Sequence, residues 1–151
     1  MAMTGLDAFD MTLQKTNHVL RHIEEAYGWP KDLRKQSYSA LRAVLHAVRD
    51  RLTVDEAVDL AAQLPMLIRG LYYEGWKPSK VPLKMGREEF LERVQDDLNF
   101  ALDPEGWVPQ LVTTVFTALR HHVTEGEFED IWSAMPKDLR DLVPVGNRTA
   151  G

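Results

Sequence analysis

The pattern of apolar positions along the chain is that of amphipathic helices. Over the first 27 residues, apolar positions recur at alternating steps of three and four, which places them on one helix face. The stripe consists of Leu6, Phe9, Leu13, Thr16, Leu20, Ile23 and Tyr27. Gly28 and Pro30 follow the stripe, and they favour a helix end because Gly suits a C-cap and Pro cannot continue a helix. The spacing therefore predicts a first helix, capped by Thr4, with a buried stripe.

Similar signals predict seven further helices. A helix over residues 32–51 precedes a capping-box pattern at Thr53 and Glu56, a helix over residues 54–64 and a short helix over residues 65–73. A fifth helix starts at Arg87 and continues its apolar face to Leu102. Helices over residues 108–122, after Thr124 and over residues 136–143 complete the set. Because no segment alternates apolar and polar residues over a useful length, the predicted class is all-α.

One stretch of the chain occurs twice. Residues 41–72 align without a gap to residues 112–143, and nine of the 32 aligned positions are identical. Copies of one helical unit usually bury their apolar faces against each other. We therefore predict one domain over residues 1–151, a pseudo-symmetric bundle of about eight helices from two tandem four-helix repeats. The predicted parts are repeats over 5–74 and 87–143, a basic Pro-containing linker over 75–86 and a mobile tail over 144–151.

Composition narrows the possible functions. The chain of 151 residues has a formal net charge of −5 and no Cys, which excludes disulfides, thiolate metal sites and Cys nucleophiles. The negative charge argues against nucleic acid or an anionic membrane as a partner. The sequence contains no Gly-rich phosphate loop and no Gly-x-Ser-x-Gly or His-Glu-x-x-His motif. Because these motifs are missing, we expect no cofactor. The sequence also has no membrane-length apolar run and no signal-peptide pattern, so we expect a cytoplasmic protein.

Five short motifs carry a resemblance to a known family. They are LRAVLH at residues 41–46, RDRL at 49–52, QLP at 63–65, RGLYYEGW at 69–76 and REEFL at 87–91. Together they resemble a bacterial family, the domain of unknown function number twenty-two sixty-seven, over nearly the whole chain. The resemblance implies an all-helical, internally repeated protein. It implies no catalytic residues, because the family has no assigned activity.

Three charged positions recur in both copies of the repeated stretch. They are Arg49, Asp59 and Arg69 in the first copy and Arg120, Asp130 and Arg140 in the second. The structural interpretation is an Arg–Asp–Arg network that joins three helices, in which case Asp59→Asn would unfold the protein. The functional interpretation is a site in each repeat for a small anion or a partner peptide.

Histidines provide the second set of candidates. His18 and His22 have the i, i+4 spacing that can chelate Zn²⁺ or Ni²⁺. Helical periodicity places both opposite the apolar stripe, which favours a solvent-exposed surface over a metal site. His121 and His122 end a predicted helix, where positive charge favours the helix dipole. We therefore expect no metal, with His18 and His22 as the weak candidates.

Aromatic residues near the end of the first repeat lie beside the basic linker. The aromatic residues are Tyr72, Tyr73 and Trp76, and the basic ones are Lys77, Lys80 and Lys84. The structural interpretation is that the Trp closes one end of the bundle. The functional interpretation is an aromatic–basic patch that contacts a protein partner.

The leading functional hypothesis is a protein–protein interaction or structural module without catalysis, with a homodimer as one of its forms. It rests on the lack of catalytic motifs and on aromatic residues at helix junctions. The alternative is a metal-binding or anionic-ligand-binding protein, or an enzyme, that uses the repeated Arg and Asp residues or the pair His18 and His22.

Overall fold

The computed structural model describes residues 4–102 and 107–144. Within these residues the chain forms an all-α bundle without strands, which confirms the predicted class. The α-helices are α1 (Asp7–Tyr27), α2 (Arg34–Arg51), α3 (Val54–Gln63), α4 (Met66–Tyr73), α5 (Arg87–Asp97), α6 (Val108–Arg120) and α7 (Glu125–Ala134). Short 3-10 helices cover Lys31–Leu33, Pro78–Lys80 and Lys137–Leu142.

Several helix ends follow the sequence signals. The Thr53 hydroxyl accepts a hydrogen bond from the Glu56 amide at 3.2 Å, and the Thr53 amide donates to the Glu56 carboxylate at 3.0 Å. Thr124 and Glu127 form the same two bonds at 3.1 Å and 2.8 Å. Gly28 ends α1 with a φ of 67°, a conformation that Gly adopts without steric cost. Both predicted capping boxes and this C-cap are confirmed.

Helix α2 lies at the centre of the bundle. It packs against α1, α4, α5 and α6, and most of its residues are buried. Helix α3 packs against α4 and α7, while α6 also contacts α1, α5 and the 3-10 helix Lys137–Leu142. One apolar core draws side chains from all seven α-helices. The derivation of this bundle from two repeats stays a prediction.

Three predictions about the helices are wrong, and they concern one N-cap, one helix end and one helix type. Thr4 does not cap α1, because its amide and hydroxyl donate to Asp10 Oδ1 at 3.1 Å and 2.8 Å, and Leu6 occupies the N-cap position. Helix α5 ends at Asp97 instead of continuing to Leu102. The eighth predicted helix is a 3-10 helix.

Burial differs from the prediction at the start of α1. The side chains of Leu6 and Phe9 are 57% and 44% exposed, although they begin the predicted buried stripe. The buried apolar residues of α1 all lie in its second half, because that is the half the neighbouring helices cover. An apolar surface on the first half of α1 is therefore left open.

The basic linker packs against the end of α2. The Leu83 amide donates to the Asp50 carbonyl at 2.7 Å, and Arg51 Nε donates to the Met85 carbonyl at 2.9 Å. Most of the tail predicted over residues 144–151 lies outside the described residues, which end at Pro144. In the described parts of the chain, no helix combines the length and the apolar character needed to cross a bilayer.

Candidate functional site

The repeated arginines bind backbone carbonyl groups at helix ends. Arg69 donates from Nε to the Ala61 carbonyl and from Nη2 to the Leu64 carbonyl, both at 2.9 Å. Arg140 makes the equivalent contacts with two carbonyl groups at the end of α7, both at 3.0 Å. Carbonyls at the end of a helix lack the amide of the next turn as a partner, although the Ala61 carbonyl also accepts the Leu64 amide at 3.1 Å. A cation also favours the negative end of the helix dipole. Helix capping therefore accounts for both residues.

The other repeated pair also binds carbonyl groups. Arg49 is 4% exposed and donates from Nη1 to the Tyr72 and Glu74 carbonyls at 3.0 Å and 2.8 Å, at the end of α4. Arg120 donates to the Pro144 carbonyl at 3.3 Å and to the Glu125 carboxylate at 2.9 Å. All four repeated arginines thus hold the ends of short segments.

An Arg–Asp–Arg network is present, but its carboxylate belongs to Asp50 instead of Asp59. Arg49 Nε donates to Asp50 Oδ1 at 2.8 Å, and Arg93 Nη2 donates to Asp50 Oδ2 at 2.7 Å, which joins α2 to α5. Arg93 also binds Asp97 at 2.9 Å. Burial opposes ionisation of Asp50, yet the hydrogen bonds from the two guanidinium groups outweigh it and lower the pKa of this carboxyl.

Asp59 and Asp130 lie elsewhere. Both are exposed, and both line a cavity of about 390 Å³ between α3 and α7. Among the described residues, neither carboxylate forms an ion pair with an Arg, so the predicted network through Asp59 is wrong. The reason is helical geometry: α3 buries Ala57, Leu60 and Ala61, and Asp59 points to the opposite side.

Four histidines meet where α1 contacts the end of α6. The ring centroids of His18 and His122 are 5.9 Å apart, and those of His22 and His121 are 5.2 Å apart. No local pattern in the sequence connects the two pairs, because they are more than 90 residues apart in the chain. Within the described residues, no three His, Cys, Asp or Glu side chains are arranged to hold a metal ion.

The histidine cluster is expected to make stability fall with decreasing pH. Burial, followed by the nearby His121, lowers the pKa of His22, with Glu25 opposing. Burial lowers the pKa of His122 as well, and His18, Lys15 and His121 add to that effect. The unfolded chain then binds protons more readily than the folded one, so stability is lost as pH falls below the ordinary imidazole pKa of about 6.5.

Urea denaturation between about pH 7.5 and about pH 5 measures this dependence. The double variant His22→Gln with His122→Gln should show a smaller loss of stability over that range. Part of the slope should persist, because burial also lowers the pKa of His46, whose Nε2 lies 2.8 Å from the Leu71 carbonyl oxygen. A slope in the double variant equal to that of the wild type would contradict the assignment.

One residue of the predicted aromatic–basic patch is buried. Tyr72 is 0% exposed, and its hydroxyl donates to the Ala57 carbonyl at 2.8 Å, so it belongs to the core. Tyr73 and Trp76 are half-buried, with ring centroids 5.4 Å apart, while Lys77, Lys80 and Lys84 are exposed. The predicted surface patch is therefore wrong for Tyr72, and its role in binding a partner stays a prediction for the other residues.

An apolar groove lies between α1, α2 and α4. It has a volume of about 330 Å³ and is lined by Thr16, Leu20, Tyr38, Leu41, Leu67, Ile68, Gly70, Leu71 and Glu74. We term it the α1 groove. Phe9 and Leu13 continue its apolar surface along α1, because they lie on the same helix face as Thr16 and Leu20. The apolar stripe of α1 gives no signal for this groove, since helical periodicity does not show which part of a stripe a neighbouring helix covers.

One protein-family model matches most of the helices described above. The family model described as "Uncharacterized conserved protein (DUF2267)" matches residues 16–142, which is most of the 151-residue chain. The chain belongs to this family. The resemblance stated from the sequence is thereby confirmed. No curated protein matches the chain.

The DUF2267 region contains most of the residues described above. It includes all four capping arginines, the Asp50 network, the four histidines and the lining of the α1 groove. The exposed Phe9 lies before it. Family membership by itself assigns no activity, so a functional conclusion depends on the surfaces of this chain.

Proposed function

We propose that the protein is an interaction module without catalysis, and that it pairs with a second copy of itself through the α1 groove. The observation that supports this proposal is the open apolar surface along α1. Phe9 is 44% exposed, and the groove that continues its surface is walled by Leu20, Leu41 and Leu71. A contiguous exposed apolar surface of this kind is typical of a protein-interaction site.

In the proposed pairing, the same surface of each copy contacts the other copy. Phe9 protrudes near the start of α1, and Leu20 lies in the groove 11 residues later on the same helix face. At about 1.5 Å per residue the two are about 16 Å apart along the helix. A two-fold axis between them places the Phe9 of each copy against the groove of the other. Such an isologous contact closes after two subunits.

The edges of the groove favour this contact further. Leu67 and Tyr38 are 45% and 43% exposed, so their apolar surface becomes buried when a helix enters the groove. The charged residues at the edge, Arg42 and Glu74, have opposite signs and lie 3.5 Å apart. They therefore add no net charge that would repel a second copy.

Sedimentation velocity over a range of protein concentrations tests the pairing. We expect the wild type to sediment as a dimer, and Phe9→Glu and Leu67→Glu to sediment as monomers, because each buries a carboxylate in the apolar contact. Val58→Glu is the matched control: Val58 is also 44% exposed but lies on α3, outside the groove. It should remain dimeric.

A monomeric wild type at about 100 μM protein would exclude self-pairing of functional strength. Equal dissociation by Val58→Glu would also count against the groove, since it would show that any added surface carboxylate suffices. Circular dichroism of each variant confirms that the helices are retained.

We also propose a cytoplasmic location and an origin by duplication of a four-helix unit. The lack of Cys suits a reducing compartment. The duplication is supported by the nine identities between residues 41–72 and 112–143. The net charge of −5 supports a protein partner over nucleic acid.

A further inference from the structure

A second cavity lies on the other side of α1. It has a volume of about 370 Å³, near the lower limit for small-molecule sites. Its lining includes Met11, Lys15, Leu64, Met66, Arg69 and His122. We term it the cationic cleft, after Lys15, Arg69 and His122. These three basic groups come from α1, α4 and the residues after α6, so only the tertiary fold brings them together.

The charge of the cleft opposes that of the whole chain. Three basic side chains face one carboxylate, that of Glu127, in a protein with a net charge of −5. The Glu127 carboxylate is already used, because it accepts the Thr124 amide in the capping box at 2.8 Å. In the described parts of the chain, no carboxylate forms an ion pair with Lys15, Arg69 or His122. The cleft therefore lacks a balancing negative charge.

Arg69 presents a fixed donor to this space. Its Nε and Nη2 atoms are held by the Ala61 and Leu64 carbonyls, which sets the plane of the guanidinium group. Among the described residues, its Nη1 atom has no acceptor in the protein. A donor that is already oriented loses little conformational freedom when it binds an anion. Arg69, which caps α3, is thus also oriented to form one side of an anion site.

The remaining wall of the cleft is apolar. Met11, Leu64 and Met66 lie beside the three basic groups. Inorganic ions gain nothing from such a wall, whereas burial of an apolar substituent is favourable. A phosphate monoester carries a charge of about −1.5 to −2 near neutral pH and three acceptor oxygens, which matches two cations and a protonatable imidazole better than a carboxylate does.

We propose that the cationic cleft binds a small phosphate monoester with an apolar substituent. This site is independent of pairing through the α1 groove. The cleft uses Ala8, Met11 and Lys15 of α1, whereas the groove uses Thr16 and Leu20 on another face of that helix.

Binding in the cleft should take up a proton. Burial disfavours the charged form of His122 and lowers its pKa, and His18 and Lys15 on α1 and the adjacent His121 add to that effect. Arg69 and Glu127 complete the charged groups of the cleft. A bound dianion favours the imidazolium ion, so binding should strengthen as pH falls from about 8 to about 6.5, a range over which a phosphate monoester keeps most of its second charge.

Isothermal titration with phenyl phosphate as the probe tests the site at about pH 6.5 and about pH 8, where the probe is mainly a dianion. We expect saturable binding that is tighter at the lower pH, and a loss of affinity of about tenfold or more in Lys15→Gln and in His122→Gln, because each removes a charge-assisted contact. Lys84→Gln is the matched control, since it removes the same charge from an exposed residue of the linker. It should leave the affinity unchanged.

Three results would overturn the proposal. One is the lack of binding by phenyl phosphate up to about 10 mM, a limit above the weakest affinities usually counted as specific. Another is an equal loss of affinity in Lys84→Gln, which would indicate general charge attraction. A third is equally tight binding of inorganic phosphate, which would exclude a role for the apolar wall. Thermal melts of the free variants distinguish lost binding from lost folding, and Phe9→Glu should bind the probe as the wild type does.

Discussion

Replacing Asp50 with alanine is expected to lower the free energy of unfolding by about 3–5 kcal/mol. Arg49 is 4% exposed, and its Nε and Nη2 atoms donate to the Asp50 carboxylate at 2.8 Å and 3.2 Å. Without that carboxylate, a positive charge remains buried with only carbonyl partners. Arg93 also loses its link from α5 to α2, which is 2.7 Å long in the wild type. Urea denaturation monitored by circular dichroism measures the change.

Asp59→Ala is the matched control for this prediction. Asp59 is exposed, and a surface substitution of this kind changes stability by about 0.5 kcal/mol or less. The contribution of Asp50 should also depend on pH in a defined direction. Because its folded-state pKa is lowered, its contribution is present above the unfolded carboxyl pKa and is lost as pH falls through the lower folded value. The difference between wild type and Asp50→Ala should therefore shrink below about pH 4.

If Asp50→Ala and Asp59→Ala cost the same, the buried network would not be the structural link between α2 and α5. A cost confined to Asp59→Ala would restore the network that the repeated sequence positions suggested. The pair of variants thus compares directly the arrangement found in the fold with the one inferred from sequence recurrence.

Tyr72→Ala is expected to cost about 3–5 kcal/mol of unfolding free energy, the range for truncation of a large buried side chain. The Tyr72 ring is 0% exposed and packs in the core next to Tyr73, at a centroid distance of 5.4 Å. Truncation leaves a cavity and removes the hydrogen bond that the Tyr72 hydroxyl donates to the Ala57 carbonyl at 2.8 Å. Chemical denaturation gives the value.

Tyr72→Phe separates the two contributions. It keeps the ring and removes only the hydrogen bond to Ala57, so it should cost about 1 kcal/mol. A cost below about 1 kcal/mol for Tyr72→Ala would instead fit a surface position, where truncation has little effect. In that case Tyr72 would again belong with Trp76 and Lys77 in a surface patch.

The sequence predicted the positions of the helices better than it predicted which of their faces are buried. The Thr53 and Thr124 capping boxes form as expected, because each depends on residues three positions apart. The stripe of α1 has the correct period, yet Phe9 stays exposed, because burial depends on where α2 and α4 cross α1. Periodicity identifies an apolar face but does not show how much of it a neighbour covers.

The candidate sites depended even more on distant contacts. The Asp that recurs in both copies of the repeated stretch is Asp59. The carboxylate in the network belongs to Asp50, whose counterpart in the second copy is His121. A signal for Asp50 was present in the sequence, since it lies between Arg49 and Arg51. Its partner Arg93 is 43 positions away, and no local pattern connects the two.

The sequence by itself determined the all-α class, most of the helix ends and the family. These features follow from backbone hydrogen bonding, side-chain caps and periodicity, which act over a few residues. The tertiary structure decided the Asp50 network, the meeting of the four histidines, the open α1 groove and the cationic cleft. Each depends on how helices far apart in the chain pack together, because packing determines which side chains meet and which apolar surface stays uncovered.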